Sequence, residues 1–366
     1  MSMIPIADTR LTPQEIEAAT RVLRSGALRQ GPECEGLEKE FCARTGAPHG
    51  VVSSNGSTAL HLAYTTFLQP GDEVLVPAFT FIATASMVAV AGGTPVFVDV
   101  HRETFLMDMT DAERKITPKT KAISPVHLFG NVCDVDQVMS FAARHKLKVV
   151  WDAAQAHMAQ WKGKDVGGFG DFVGYSFYPT KNMFTGEGGI TLTPHAAAAQ
   201  AMRDYRSHGQ TGPYYHTSIG HNFRMTDVEA AIGREMLKRL DAMNAARQRN
   251  AAILNETLNK LPGISPQQPT AGATHVWHQY CAVVEPEAFG MNRDELGAKL
   301  KEKGVTTGVH YPRGLHQQPA FEKTAGKLSL PGTEYLAQRI IALPVHHGLS
   351  EQEAQQVAKA VAACRP

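Results

Sequence analysis

Three short stretches of the chain hold residues whose types suit covalent chemistry. In SFYPTKNMFTGEGG, residues 176–189, a single lysine, Lys181, stands among serine, aromatic, proline and glycine residues, with Glu187 the one other charge. A lysine that attacks a carbonyl needs its free amine. Its pKa must therefore fall from ~10.4 toward neutrality, through desolvation or nearby positive charge. An ordinary surface lysine is the plain alternative. In VVWDAAQAHMA, residues 149–159, Asp152 closes an apolar strand, where an open α/β sheet gathers its ligands. A carboxylate there can receive a proton-bearing ring nitrogen. Gln155, three residues on, can bond a neighbouring ring oxygen if the chain turns helical; Asp152 as a helix cap is the competing reading. In VVSSNGSTALHLAY, residues 51–64, a strand runs through Asn55-Gly56 into hydroxyls at Ser57 and Thr58 that open a helix. Unpaired N–H groups and the positive end of the helix dipole make an anion site there, and Gly56 permits close approach. Simple capping by Ser57 and Thr58 accounts for the same residues. Ser176, five residues before Lys181, could bind the same anion.

An anion cradle, a carboxylate for a pyridinium nitrogen and an isolated lysine are together the parts required by pyridoxal 5′-phosphate. Phe79 and Phe81, after the strand EVLVP, are candidates to stack on its ring, or else core aromatics. Other phosphate motifs fail. No GxxxxGK[ST] spacing is present, and GGFGDFVG (residues 167–174) has Val173 where a dinucleotide fingerprint ends in glycine, with no helix following.

The elements that must position these residues follow an α/β rhythm. LTPQEIEAATRVLRSG reads as a helix, with capping-box spacing at Thr12 and Glu15, Pro13 at its first position and a stop at Gly26. From residue 50 the strands HGVVSS, EVLVP, TPVFVDV, KAISPVHLFG and LKVVWD alternate with helical patterns. One of these carries Leu60, Ala63, Tyr64 and Phe67 on a single face; another is capped by Asp134. A largely parallel sheet with helices on both faces follows. After Asp152, FVGYSF and GGITLT lie too close for a helical crossover and predict an antiparallel pair. A long helix from about Asp227 to Leu261 leads to a turn-rich segment and a smaller α/β region, which divides the chain into residues 1–245 and 246–366.

Composition excludes several classes. The 366 residues carry a net charge of +1 with no basic run, which argues against nucleic acid and membrane-surface partners. Val74–Val98 is uncharged for 25 residues, but Pro77, Gly92, Gly93 and Pro95 punctuate it, so strand, helix, turn and strand is the expected reading. Five scattered cysteines without a CxxC pair predict neither a disulfide scaffold nor a metal site, and with no visible signal peptide a cytoplasmic location is expected.

The ordered set LRSGALRQGPECEGLEKEF, NGSTALHLA, VPAFTFIATA, VFVDV, DAAQAHMA, SFYPTKNMFTGEGG, GHNFRMTDVEAAIG, GVHYPRGLHQQPAF and ALPVHHGLSEQE resembles the DegT/DnrJ/StrS sugar aminotransferases. These are fold-type I pyridoxal phosphate enzymes, and the likeness covers almost the whole chain. It implies a large domain around a mixed, mostly parallel seven-stranded sheet and a small C-terminal α/β domain. By this resemblance Lys181 is the Schiff-base lysine, Asp152 the pyridinium partner and Gln155 the partner of the ring oxygen. Gly56, Ser57, Thr58 and Ser176 match the phosphate cradle, and Phe81 the stacking position. Asn222, in GHNFRM, matches a residue that reaches the neighbouring subunit's phosphate, which implies a homodimer with shared sites.

The implied reaction moves an amino group from glutamate or glutamine to a keto-sugar, nucleotide-linked, in amino-sugar biosynthesis. A ketoinositol-type aminocyclitol is the competing substrate. Related dehydratases place histidine where this chain keeps Lys181, and a non-catalytic regulatory homologue is a third reading. His127, His221, Arg224, His310, Tyr311, Arg313 and His316 are candidates to line the substrate pocket.

Overall fold

The computed structural model describes residues 3–366. Helices α1 (Pro13–Ser25) and α2 (Pro32–Thr45) precede the sheet. The first of these starts as its sequence predicts: the Thr12 N–H donates to Glu15 Oε2 at 2.5 Å, and Gly26 ends the helix with φ 72°, a left-handed conformation that costs glycine nothing. Strands β1 (His49–Ser53), β2 (Glu73–Pro77), β3 (Thr94–Val98), β4 (Thr120–Ile123) and β5 (Lys148–Asp152) then alternate with α3 (Gly56–Thr65), α4 (Ala83–Val90), α5 (Met109–Arg114) and α6 (Val135–His145). The uncharged run thus resolves into β2, α4 and β3, and no helix among the described residues is long and apolar enough to cross a membrane. α3 stops before Phe67. The hydroxyls of Thr65 and Thr66 donate back to the carbonyls of Leu62 and Ala63, at 2.8 and 2.7 Å, and the helix closes there.

A two-residue pair, β6 (Gln160–Trp161) and β7 (Lys164–Asp165), leads to β8 (Phe172–Ser176) and β9 (Gly189–Thr193). The large sheet has seven strands in the order β1-β9-β8-β5-β4-β2-β3. Only β9 runs against its neighbours, pairing antiparallel with both β8 and β1. Register aligns the functional strand ends: Ser53 and Ser176 both face Gly189, and Asp152 lies beside Gly174. The carboxyl ends of β1, β5 and β8 therefore share one edge. Successive residues of β5 enter opposite cores, Val149 and Trp151 on one face and Val150 on the other, so the sheet is covered on both sides.

After α7 (Ala196–Arg206), a hairpin of β10 (Gln210–Gly212) and β11 (Tyr215–His216) stands out from the body, with Tyr214 and Ile219 almost fully exposed. Helix α8 (Asp227–Leu258) is capped by the Thr226–Glu229 pair, at 3.0 and 3.3 Å. It contributes Met236, Leu240 and Met243 to the first core and Ala251, Leu254 and Leu258 to a second one. Beyond it, β12 (Ile264–Pro266), β14 (Tyr280–Val284) and β15 (Ile340–Leu343) form an antiparallel sheet, while β13 (Ala273–Thr274) extends the β6–β7 pair. Helices Arg293–Glu302 and Glu351–Ala362 cover the second core, in which Tyr280, Leu300 and Val357 are fully buried.

Candidate active site

The start of α3 is built around Asn55. Its side-chain oxygen accepts the Thr58 N–H at 2.9 Å, and the Asn55 N–H donates to the Thr58 hydroxyl at 3.0 Å. That hydroxyl also donates to the Asn55 carbonyl at 2.7 Å. The cap is thus Asn55, not Ser57, and Thr58 spends its own polar groups on the capping box. The N–H groups of Gly56 and Ser57 are left with no acceptor among the described residues, the ordinary condition of a first helical turn and the origin of its positive end. Gly56 lies hard against Ser176: a Cβ there would meet Ser176 Cβ at 2.5 Å and its Oγ at 2.9 Å. Free N–H donors and a serine hydroxyl therefore converge on one small volume, a ready cradle for a phosphate group.

At the end of β5, Asp152 is buried. Its Oδ2 accepts the Thr84 hydroxyl at 2.7 Å and its Oδ1 the Ala154 N–H at 3.1 Å. Desolvation raises its pKa more than those bonds and the Lys181 charge lower it. The carboxylate is short of positive charge, which a protonated ring nitrogen would supply. Lys181 is the complementary case. It is half-buried and makes no ion pair among the described residues; desolvation lowers its pKa to about 8, with Asp152 pulling the other way. Around it His157, His278 and His310 are all held neutral, burial being the first cause and Lys181 a further one.

Gln155 is buried three residues after Asp152. Its carbonyl accepts the Phe129 N–H at 2.6 Å and its amide donates to the Tyr311 hydroxyl at 3.2 Å. Tyr311 in turn stands among Phe79, Phe81 and Phe129, with ring centroids 6.0–6.4 Å away. Phe81 is 54% exposed, leaving a ring face free, whereas Phe79 is a core residue. Carboxylate, lysine, amide, open aromatic face and phosphate cradle are the donor set of pyridoxal 5′-phosphate, and the residues fit the group.

The remaining candidates are scattered in character. His127 is fully buried; its Nδ1 accepts the Cys133 N–H at 3.1 Å and its ring stacks on Trp151 at 4.7 Å, so only the unpartnered Nε2 is available. His316 is buried against Glu334 at 3.2 Å. His310 and Arg224 are half-buried, and Arg313 is exposed. His221 is exposed, stacked on Phe223 at 4.9 Å. Asn222 is exposed and bridges to Ser207, and the Phe223 carbonyl beside it accepts the Ser54 N–H at 2.8 Å, bringing this loop to the end of β1. Thr84 is not legible in the sequence as a site residue, since a threonine inside an apolar helix carries no signal of the aspartate it serves. A cavity of about 460 Å³ between α8 and the β6–β7 pair includes none of these residues.

Residues 9–362 match the DegT/DnrJ/EryC1/StrS aminotransferase family. The chain is 39% identical to a pleiotropic regulatory protein of Geobacillus stearothermophilus, covering 96% of this chain and 95% of that one. It is 37% identical to a UDP-N-acetyl-3-dehydro-alpha-D-glucosamine 3-aminotransferase of Acidithiobacillus ferrooxidans, over 98% and 97%. Among solved structures, Streptomyces venezuelae DesV in complex with a ketimine intermediate superposes with a TM-score of 0.96 at 36% identity, over the whole of both chains. The chain belongs to the DegT/DnrJ/EryC1/StrS family of pyridoxal 5′-phosphate-dependent aminotransferases.

Proposed function

We propose that the protein transfers an amino group from glutamate or glutamine to a nucleotide-linked keto-sugar in amino-sugar biosynthesis. One observation carries the reading: Lys181, lowered to about 8, shares one sheet edge with Asp152, Gln155 and the α3 cradle. Desolvation thus favours the free amine that a nucleophile and a base both require. Lys181 therefore serves both as the covalent anchor and as the base that moves a proton at the substrate carbon. Asp152 keeps a ring nitrogen protonated, Gln155 uses its remaining amide hydrogen on the ring oxygen, and Phe81 covers a ring face. Gly56, Ser57 and Ser176 hold the phosphate, with Thr58 confined to fixing the turn through Asn55 and Asn222 contributed from the second protomer of a homodimer. When bound, pyridoxal 5′-phosphate supplies an electron-accepting ring that stores the pair left by proton removal.

The sugar substrate is supported by the aminotransferase of Acidithiobacillus ferrooxidans, whose name gives a UDP-linked 3-dehydro sugar. His221, Arg224, His310 and Tyr311 are the substrate-side residues of this reading, with His127 reduced to its Nε2. The chain divides into residues 1–245 and 246–366, with α8 as the shared member. A regulatory role, as named for the Geobacillus relative, is less well supported, because Lys181 and Asp152 are both retained. Borohydride reduction followed by peptide mapping tests the anchor: the pyridoxyl group is expected on Lys181, and its recovery on another lysine would sink the assignment. Assays of keto-sugars and a ketoinositol, each with glutamate and with glutamine, then decide substrate and donor.

A further inference from the structure

Lys181 sits on a loop between β8 and β9, while Asp152 ends β5 and Gln155 sits on the loop that follows it. Their relative placement depends on what ties the two loops together. Asn182, the residue after the lysine, is fully buried, and its Nδ2 donates to Asn244 Oδ1 at 2.8 Å and to the Val276 carbonyl at 2.9 Å. Asn244, on α8, donates its own Nδ2 to the His157 carbonyl at 2.9 Å, two residues beyond Gln155. The two side-chain amides thus form a continuous ladder from the lysine loop through α8 to the Asp152–Gln155 loop. α8 repeats the device at three-residue spacing: Arg247 donates to the His278 carbonyl at 3.1 Å and Asn250 to that of His346 at 3.1 Å.

We propose that Asn182 and Asn244 are positioning residues of the reaction, an amide ladder that sets the Lys181 amine against the groups held by Asp152 and Gln155. The inference rests on the reading of Lys181 as the anchor. Buried amides satisfy only specific partners, so the ladder admits one spacing of the two loops, where apolar packing would tolerate several. Asn244 also lines the cavity of about 460 Å³ beside α8. After Asn244→Ala the Asn182 Nδ2 still has the Val276 carbonyl at 2.9 Å, so truncation removes the positional constraint without leaving that nitrogen unpaired.

The test uses cofactor-loaded wild type, Asn244→Ala, Asn182→Ala and the double variant. Four quantities are read: single-turnover rate with whichever of glutamate and glutamine the wild type uses, the pH midpoint of the bound cofactor's absorbance, cofactor affinity, and Tm. Misplacing a reacting group by ~1 Å costs up to about a hundredfold in rate. Each single variant is expected to lose about ten- to a hundredfold in rate and to shift the absorbance midpoint, with cofactor affinity and Tm nearly held. The double variant should lose no more than either single one, because one ladder is broken in each case. Wild-type rate and midpoint in Asn244→Ala would overturn the proposal. So would rate losses that add in the double variant, or that merely follow Tm and cofactor affinity. Lys181→Ala is the control: persistence of the pH-dependent band there would mean that the anchor assignment, not the ladder, has failed.

Discussion

Replacing Gly56 by alanine would place a methyl group 2.5 Å from Ser176 Cβ, 2.9 Å from its Oγ and 3.1 Å from its Cα. Carbon atoms settle at ~3.5–4.0 Å, so the start of α3 and the end of β8 must part by about 1 Å. Neither yields freely: Ser176 is in register with Gly189, and the first turn of α3 is tied down by Asn55. Overpacking of this kind costs about 1–3 kcal/mol of stability. The larger consequence falls on the phosphate, since the N–H groups of Gly56 and Ser57 and the Ser176 hydroxyl would no longer converge. Losing one charge-assisted bond costs about 1.5–3 kcal/mol, or about ten- to a hundredfold in cofactor dissociation constant. Absorbance titration of cofactor into cofactor-free protein measures that loss, and Tm without cofactor isolates the packing cost. The cycle with Ser176→Gly is decisive. That background removes the two closest atoms and leaves only the Cα at 3.1 Å, so Gly56→Ala should cost clearly less in it. An equal loss in both backgrounds would refute the steric argument, and wild-type affinity in Gly56→Ala alone would remove the cradle from the start of α3.

In cofactor-free protein, acylation of Lys181 followed by peptide mass spectrometry should titrate with a midpoint of about 8; a midpoint at the ordinary 10.5 would mean a solvated ammonium. Asp152→Asn removes the one charge that raises this pKa, so the midpoint should fall below that of the wild type, while proton abstraction in the donor half-reaction is nearly abolished. Wild-type half-reaction rates would deny Asp152 its role. Thr84→Val strips the 2.7 Å donor from Asp152 Oδ2 and pushes an already raised carboxylate pKa higher. The acid limb of kcat/KM should therefore move to higher pH; an unmoved limb would count against the pairing. Mixing Lys181→Ala with Asn222→Ala chains should restore activity if Asn222 acts across the dimer, one site then carrying both lesions and the other neither. No recovery after verified subunit exchange, with Asn222→Ala itself impaired, would rule out the shared site.

What the sequence determined by itself is what short-range physics controls. Thr12, Pro13, Glu15 and Gly26 mark both ends of α1 because capping acts within one helical turn. The brevity of the link between FVGYSF and GGITLT forced β8 and β9 antiparallel, since a parallel crossover needs about a dozen residues or more. Asp152 was legible because an apolar run ending in a carboxylate marks a strand end at the ligand edge of a sheet. Tertiary structure alone decided which strand ends would meet. β1 and β8 are brought level through Gly189, 136 residues from Ser53, and no local pattern encodes that register. The same holds for side-chain partners: Thr84 serves Asp152 from 68 positions away, Tyr311 meets Gln155 across 156, and Asn244 reaches Asn182 across 62. Desolvation is of the same kind. The fall of Lys181 to about 8 comes from burial, with no charged partner supplying it, and burial is a property of the whole packed chain. Residue type states what a group is able to do, and only the fold sets which groups surround it and how much water remains.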